Sequence, residues 1–173
     1  MRILFELDAK DYNPEGKAFV RPSARGIIIR NGKIAMVHSL RYDYYKYPGG
    51  GLESKETAID ALIREVREEA GLIVIPESVR EYGLVRRIQK NQIQGYEYFY
   101  QENYYYLCDA EDRAVARNLD DYEAEAEFVP EWVEPDHAIA VNRSGNTALL
   151  VRYTREREAR VLEMLKEEGY FAK

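Results

Sequence analysis

Cysteine, tryptophan and histidine are nearly absent from this chain: one Cys, one Trp and two His in 173 residues. The single Cys108 excludes an internal disulfide and with it a disulfide-stapled scaffold, and it fits a reducing, cytoplasmic setting. His38 and His137 have no companions at metal-ligand spacing, which excludes a histidine-rich zinc site. No apolar run approaches the ~20 residues of a membrane span. The opening segment MRILFELDAKD is too short and too acidic for a secretory signal. An excess of positive charge is also missing. Lys and Arg number 25 against 31 Asp and Glu, a net charge of −6. That balance argues against a nucleic-acid partner, whose phosphates it repels. One small anionic substrate remains open, because a bound divalent cation inverts the local sign.

What is present reads as one globular domain spanning residues 1–173, long enough for a full hydrophobic core. Asn31-Gly32 between Arg25–Ile29 and Lys33–His38 is a strong hairpin signal. Further strands are expected at Ile3–Leu7, near Tyr47, and at Leu72–Ile75, Glu81–Gln89, Tyr96–Cys108 and Glu125–Val133, with a polar loop over Asp109–Tyr122. Helices are expected over Asp136–Val141 and Asn146–Glu168, with Ala148 and Leu149 on the apolar face of the second. The tyrosines of the strands read mostly as strand formers. They also make a homodimer surface conceivable. Arg86, Arg87 and Lys90 read as a solvated strand end.

The densest information lies in Gly50 to Leu72. Pro48-Gly49-Gly50-Gly51 form a glycine turn, and an amphipathic helix follows. Ser54 is the expected N-cap, and Gly71 the expected terminator. Ile59, Leu62, Ile63, Val66 and Ala70 make the apolar stripe. At about 100° per residue, Glu65, Glu68 and Glu69 share one face, centred roughly 120° from that stripe. Carboxylates clustered beside a tight turn suit a hard divalent cation held against a phosphate chain. Ala58 and Ala61 leave room for the turn, which would aim the Gly49 carbonyl at the cation. Arg64 is spaced to pair with Glu68 and Asp60 and so to steady the acids.

The stretch matches G-x5-E-x7-R-E-U-x-E-E-x-G-U, with U aliphatic, at Gly50, Glu56, Arg64, Glu65, Val66, Glu68, Glu69, Gly71 and Leu72. The chain thereby resembles the Nudix hydrolases. The resemblance implies an α/β/α sandwich with a central mixed β-sheet. It also implies Mg2+-dependent, or Mn2+-dependent, hydrolysis of a nucleoside diphosphate linked to a further group, by attack of an activated water. Glu65, Glu68, Glu69 and the Gly49 carbonyl would hold metal. Glu65 or Glu68 would take the proton, Arg64 would orient the acids, and Glu56 would support the turn. A further acid beyond the box is expected among Glu123, Glu125 and Glu127, taken as alternating on one strand before Trp132, with Glu127 preferred. Arg25 and Arg41 are candidates for substrate contacts. A catalytically silent nucleotide-sensing or assembly module on the same fold is the competing reading. The stretch from Arg86 to Gln92 has neither the proline of ADP-ribose hydrolases nor the tyrosine of dinucleoside polyphosphate hydrolases, so the substrate is left open.

Overall fold

A computed structural model describes residues 1–144 and 149–172. Twelve strands run β1 Ile3–Asp8, β2 Ala18–Val20, β3 Ser23–Ile27, β4 Ile29–Arg30, β5 Lys33–Ser39, β6 Tyr44–Lys46, β7 Gly49–Gly51, β8 Leu72–Val74, β9 Arg80–Lys90, β10 Tyr98–Leu107, β11 Ala110–Ala114 and β12 Phe128–Val133. Among the described residues four α-helices join them: α1 Ala58–Ala70, α2 Asp121–Glu125, α3 Pro135–Ser144 and α4 Leu149–Glu167. The expected start of the last helix, Asn146 to Ala148, lies outside the described residues.

The central sheet is mixed, in the order β1-β9-β10-β3-β7, with β2 also on β10. Its spine is the antiparallel β9–β10 pair. β1 runs parallel to β9, β3 runs parallel to β10, and β7 closes antiparallel on β3. A second sheet pairs β12, β4 and β6 antiparallel to β5. The hairpin forms where expected: Asn31 and Gly32 take φ of 52° and 76°, the left-handed pair that a two-residue turn needs between twisted strands.

Strand alternation builds the sandwich. Ile27, Ile34 and Met36 pack with Ala138 of α3 and Val161, Leu162 and Leu165 of α4. Their sequence neighbours Ile28 and Ala35, together with Ala24 three residues before Ile27, face the other way, against Ala61, Leu62 and Val66 of α1. Successive side chains on a strand point to opposite faces, so these short strands feed two cores at once. Gly26 lets α1 come close, since a Cβ there would lie 2.9 Å from Val66 Cγ2.

Helix α1 starts later than Ser54. Lys55 has φ of 72°, which no α-helix accommodates, and residues 53–56 form a turn closed by Glu56 N–H on the Glu53 carbonyl at 3.2 Å. Thr57 caps the helix instead. Its Oγ1 accepts from Asp60 N–H at 3.1 Å while Asp60 accepts from Thr57 N–H at 3.1 Å. This reciprocal box satisfies donors that would otherwise be orphaned. Asp60 is thereby committed to the cap rather than to Arg64. Gly71 ends the helix in the left-handed region at φ 66°. The segment before Trp132 also differs from expectation. Asp121–Glu125 is a helical turn, β12 begins only at Phe128, and the expected polar loop contains β11.

Candidate active site

The glycine segment expected as a turn is strand β7 along Gly49–Gly51, paired with β3, and this glycine strand and α1 meet through backbone rather than bulk. A Cβ on Gly50 would lie 2.4 Å from the Glu65 carboxyl carbon, so only glycine lets that carboxylate lie flat on the turn. Gly49 has φ of 144°, and a Cβ there would lie 2.1 Å from the Ala24 carbonyl oxygen. Glu69 is fully buried and accepts the Gly49 N–H at 3.0 Å. Its other oxygen is in very short contact with Lys46 Nζ, a cation itself buried and stacked 4.6 Å over the Phe128 ring. Arg64 spans the arrangement. It donates to Glu56 at 2.8 and 2.9 Å, to Glu65 at 2.8 Å, to Glu68 at 3.1 Å and to the Gly51 carbonyl at 3.1 Å. One guanidinium thus ties the turn to both acids, and Glu56 serves to hold Arg64 in place.

Glu65, Glu69 and Glu123 each present a carboxylate oxygen within 4.8 Å of the others. Three converging hard oxygen donors, Glu69 and Glu123 buried and Glu65 partly exposed, fit a divalent cation such as Mg2+ or Mn2+. Glu123 comes from α2, where it accepts Asp120 N–H at 2.9 Å and the Tyr122 hydroxyl at 2.8 Å. Those bonds aim it inward, and it is buried. Burial pushes Glu65 and Glu69 above the usual carboxylate range, against the pull of Arg64 on the first and Lys46 on the second. At Glu123 burial also favours the neutral form, but hydrogen bonds from Glu69, Asp120 and Tyr122 together outweigh it and hold the group low. Crowding two or three carboxylates out of water has this outcome: one keeps its charge and its neighbour resists losing a proton.

The structure therefore gathers some of the expected residues and leaves others apart. Glu127 is exposed, with φ of 54°, one residue before β12. Glu123, not Glu127, joins the box acids, because α2 replaces the expected strand. Glu68 stands beside the cluster rather than in it, bonded to Arg64 and lining an open recess with Glu65, Asn118 and Asp120. The Gly49 carbonyl accepts Arg25 Nη1 at 2.9 Å. Arg25 is buried under the turn rather than displayed on the surface. Arg41 is exposed and bonded to Glu125 at 2.8 Å. His38 lies between Asp43 at 3.0 Å and Glu131 at 3.1 Å, stacked on Tyr45. Sequence reading missed Lys46, and it held Glu123 among three candidate acids but preferred Glu127. Nothing in the pattern marks Lys46, but Asp120-x-x-Glu123 has the spacing of a capping box and could have placed Glu123 on a helical turn.

The family profile described as the NUDIX domain matches residues 20–153. The chain belongs to the NUDIX family. The RNA pyrophosphohydrolase of Halorhodospira halophila (strain DSM 244 / SL1) is 41% identical over 69 residues, covering 39% of this chain and 36% of that protein. An RNA pyrophosphohydrolase of Xanthomonas campestris pv. campestris (strain B100) is 35% identical over 72 residues, 41% of this chain and 33% of that one. The matched stretch spans about a third of the length of these relatives. Among solved structures, a NUDIX hydrolase from Nitrosomonas europaea aligns with TM-score 0.56 at 18% identity, over 83% of this chain and 90% of that one. A MutT protein from Bacillus halodurans aligns with TM-score 0.51 at 14% identity, over 82% of each. These likenesses carry the Nudix fold, with its mixed sheet between helices. Among the described residues no helix is long and apolar enough to cross a membrane.

Proposed function

We propose that this chain hydrolyses a phosphoric anhydride bond in a nucleotide-type substrate with the help of a divalent cation, Mg2+ or Mn2+. The observation that carries the reading is the convergence of Glu65, Glu69 and Glu123 beside the glycine turn. A cation held there supplies charge neutralisation for the phosphate chain and acidifies a bound water. Glu65, Glu69 and Glu123 would hold it, with Lys46 and Gly49 N–H fixing the Glu69 carboxylate from behind.

Glu68 is the acid left over. It lines the open recess, its side chain retains 34% exposure, and Arg64 fixes its position. We assign it the proton taken from the attacking water. Arg64 keeps Glu65 and Glu68 apart from each other and pointed at the recess. The Gly51 carbonyl and Glu56 hold Arg64 so that this alignment costs no rearrangement during the reaction.

The relatives matched over 69 and 72 residues are named RNA pyrophosphohydrolases; a 5′-triphosphorylated RNA end carries the same anhydride linkage as a free nucleoside triphosphate. The test is a panel of nucleoside triphosphates, nucleotide derivatives and 5′-triphosphorylated oligonucleotides with Mg2+ or Mn2+, with products identified by mass. We expect metal-dependent cleavage of at least one member, reduced about 10²-fold or more in kcat by Glu68→Gln. Absence of cleavage across the panel would favour the silent module. Equal turnover by Glu68→Gln would remove Glu68 from the proton step.

A further inference from the structure

Next to the acidic cluster lies a second recess of about 380 Å³ with the opposite character. It occupies the face of the central sheet where β9, β10 and β3 run side by side, and Arg25, Arg87 and Arg157 all line it. The two recesses share Arg21, Gly51 and Tyr122, so a ligand lying across the glycine turn reaches both.

The three arginines are unequally satisfied. Arg157 is buried and neutralised, bonded to Glu158 and, at 2.7 Å, to Asn103. Arg25 is 8% exposed; its Nη1 meets the Tyr47 and Gly49 carbonyls, but its buried Nε has no partner. Arg87 has no acid partner among the described residues. It donates twice to the Gln89 side chain, at 3.1 and 2.9 Å, and lies over the rings of Phe99 and Tyr153. Burial, with Arg157 and Arg25 nearby, lowers its pKa to about 10. The adjacent Arg86, on the other face of the strand, shows the ordinary solution: it pairs with Glu102 at 3.3 Å and Glu6 at 3.6 Å. The solvated strand end expected at Arg86, Arg87 and Lys90 is thus split, with Arg87 turned into the recess.

Desolvated like charges are a standing cost, and a bound anion offsets it. Guanidinium groups match phosphate oxygens with directed, charge-assisted hydrogen bonds. We propose that this recess binds a phosphate group of the substrate remote from the anhydride being cleaved. The inference rests on the hydrolase reading for its substrate. The remote group is either a terminal phosphate monoester or the first internucleotide phosphodiester of a longer chain.

The test begins with inorganic phosphate and the 173-residue chain in EDTA, where the carboxylate cluster repels anions and only the arginine recess should respond. Phosphate should raise the thermal midpoint of the wild type and of Arg86→Gln, and bind Arg87→Gln at least about tenfold more weakly, the effect of one lost charge-assisted bond. Then, with Mg2+, KM is compared for a nucleoside 5′-triphosphate, its 3′-phosphorylated form and a 5′-triphosphorylated dinucleotide. At least one extended substrate should show a KM lowered about tenfold in the wild type and not in Arg87→Gln, and the form that gains identifies the source of the phosphate. Phosphate binding that is absent, or unchanged by Arg87→Gln, overturns the proposal, as does an equal KM for all three substrates. Each of those results is compatible with intact metal-dependent cleavage, so the hydrolase reading stands or falls separately.

Discussion

Glu69 has no exposure to solvent, yet it meets Lys46 and lies in reach of two further carboxylates. Lys46 is the cation that makes this burial tolerable while no metal is bound. Removing one partner of a buried ion pair leaves an uncompensated charge, which typically costs about 3–5 kcal/mol. Lys46→Met should therefore destabilise the protein in EDTA by up to roughly that amount at a pH where the raised Glu69 carboxyl is ionised, and by less at lower pH, where it is protonated. Added Mg2+ should recover much of the loss, because the metal can neutralise the same carboxylate. Denaturant melts with and without Mg2+ measure both; a loss that Mg2+ does not reduce would place the role of Lys46 in packing alone. The residue is invisible to pattern reading because its importance comes from what the fold puts above it. Glu65, Glu68, Glu69 and Arg64 were legible, since helical spacing alone puts them on one face.

At the scale of elements, the cap of α1 decides where the acidic face begins. Thr57→Ala should cost about 1 kcal/mol, the usual worth of an N-cap, whereas Ser54→Ala should change stability little. Chemical denaturation of the two variants checks this, and the reverse order would return the cap to Ser54. Ser54 and Thr57 are both good capping residues, and sequence alone could not choose between them. The positive φ of Lys55 settles it by ending any helix that starts earlier. Helix α2 was hard to read for a related reason, its only local signal being the Asp120-x-x-Glu123 capping spacing. Five residues are too few for a periodicity, and Glu123, Glu125 and Glu127 alternate as a strand would. The hairpin at Asn31-Gly32, the body of α1 and the long β9 and β10 were readable because each has a strong local signal. The pairing of β1 with β9 and the division into two sheets were not, since both depend on contacts distant in sequence.

For the whole molecule, the acidic cluster ties stability to pH and to metal together. Glu65 and Glu69 are raised by burial, so their contribution is fully present below the ordinary carboxylate pKa of about 4.3 and is lost as pH rises through the folded values. Glu123 is lowered and acts oppositely, its contribution fading as pH falls. Divalent metal requires the deprotonated forms. The thermal midpoint in Mg2+ minus that in EDTA should thus widen as pH is raised from about 5 toward 8. A difference that is flat or narrows with pH would separate the metal from these acids.

The most direct measurement is a Mn2+ binding titration on the wild type, Glu123→Gln and Glu127→Gln. Sequence and structure disagree over which of these two acids joins Glu65 and Glu69, and the structure chooses Glu123. We predict that Glu123→Gln weakens Mn2+ on the order of tenfold or more while Glu127→Gln binds as the wild type does. Unchanged affinity in Glu123→Gln, or a selective loss in Glu127→Gln, would contradict the account.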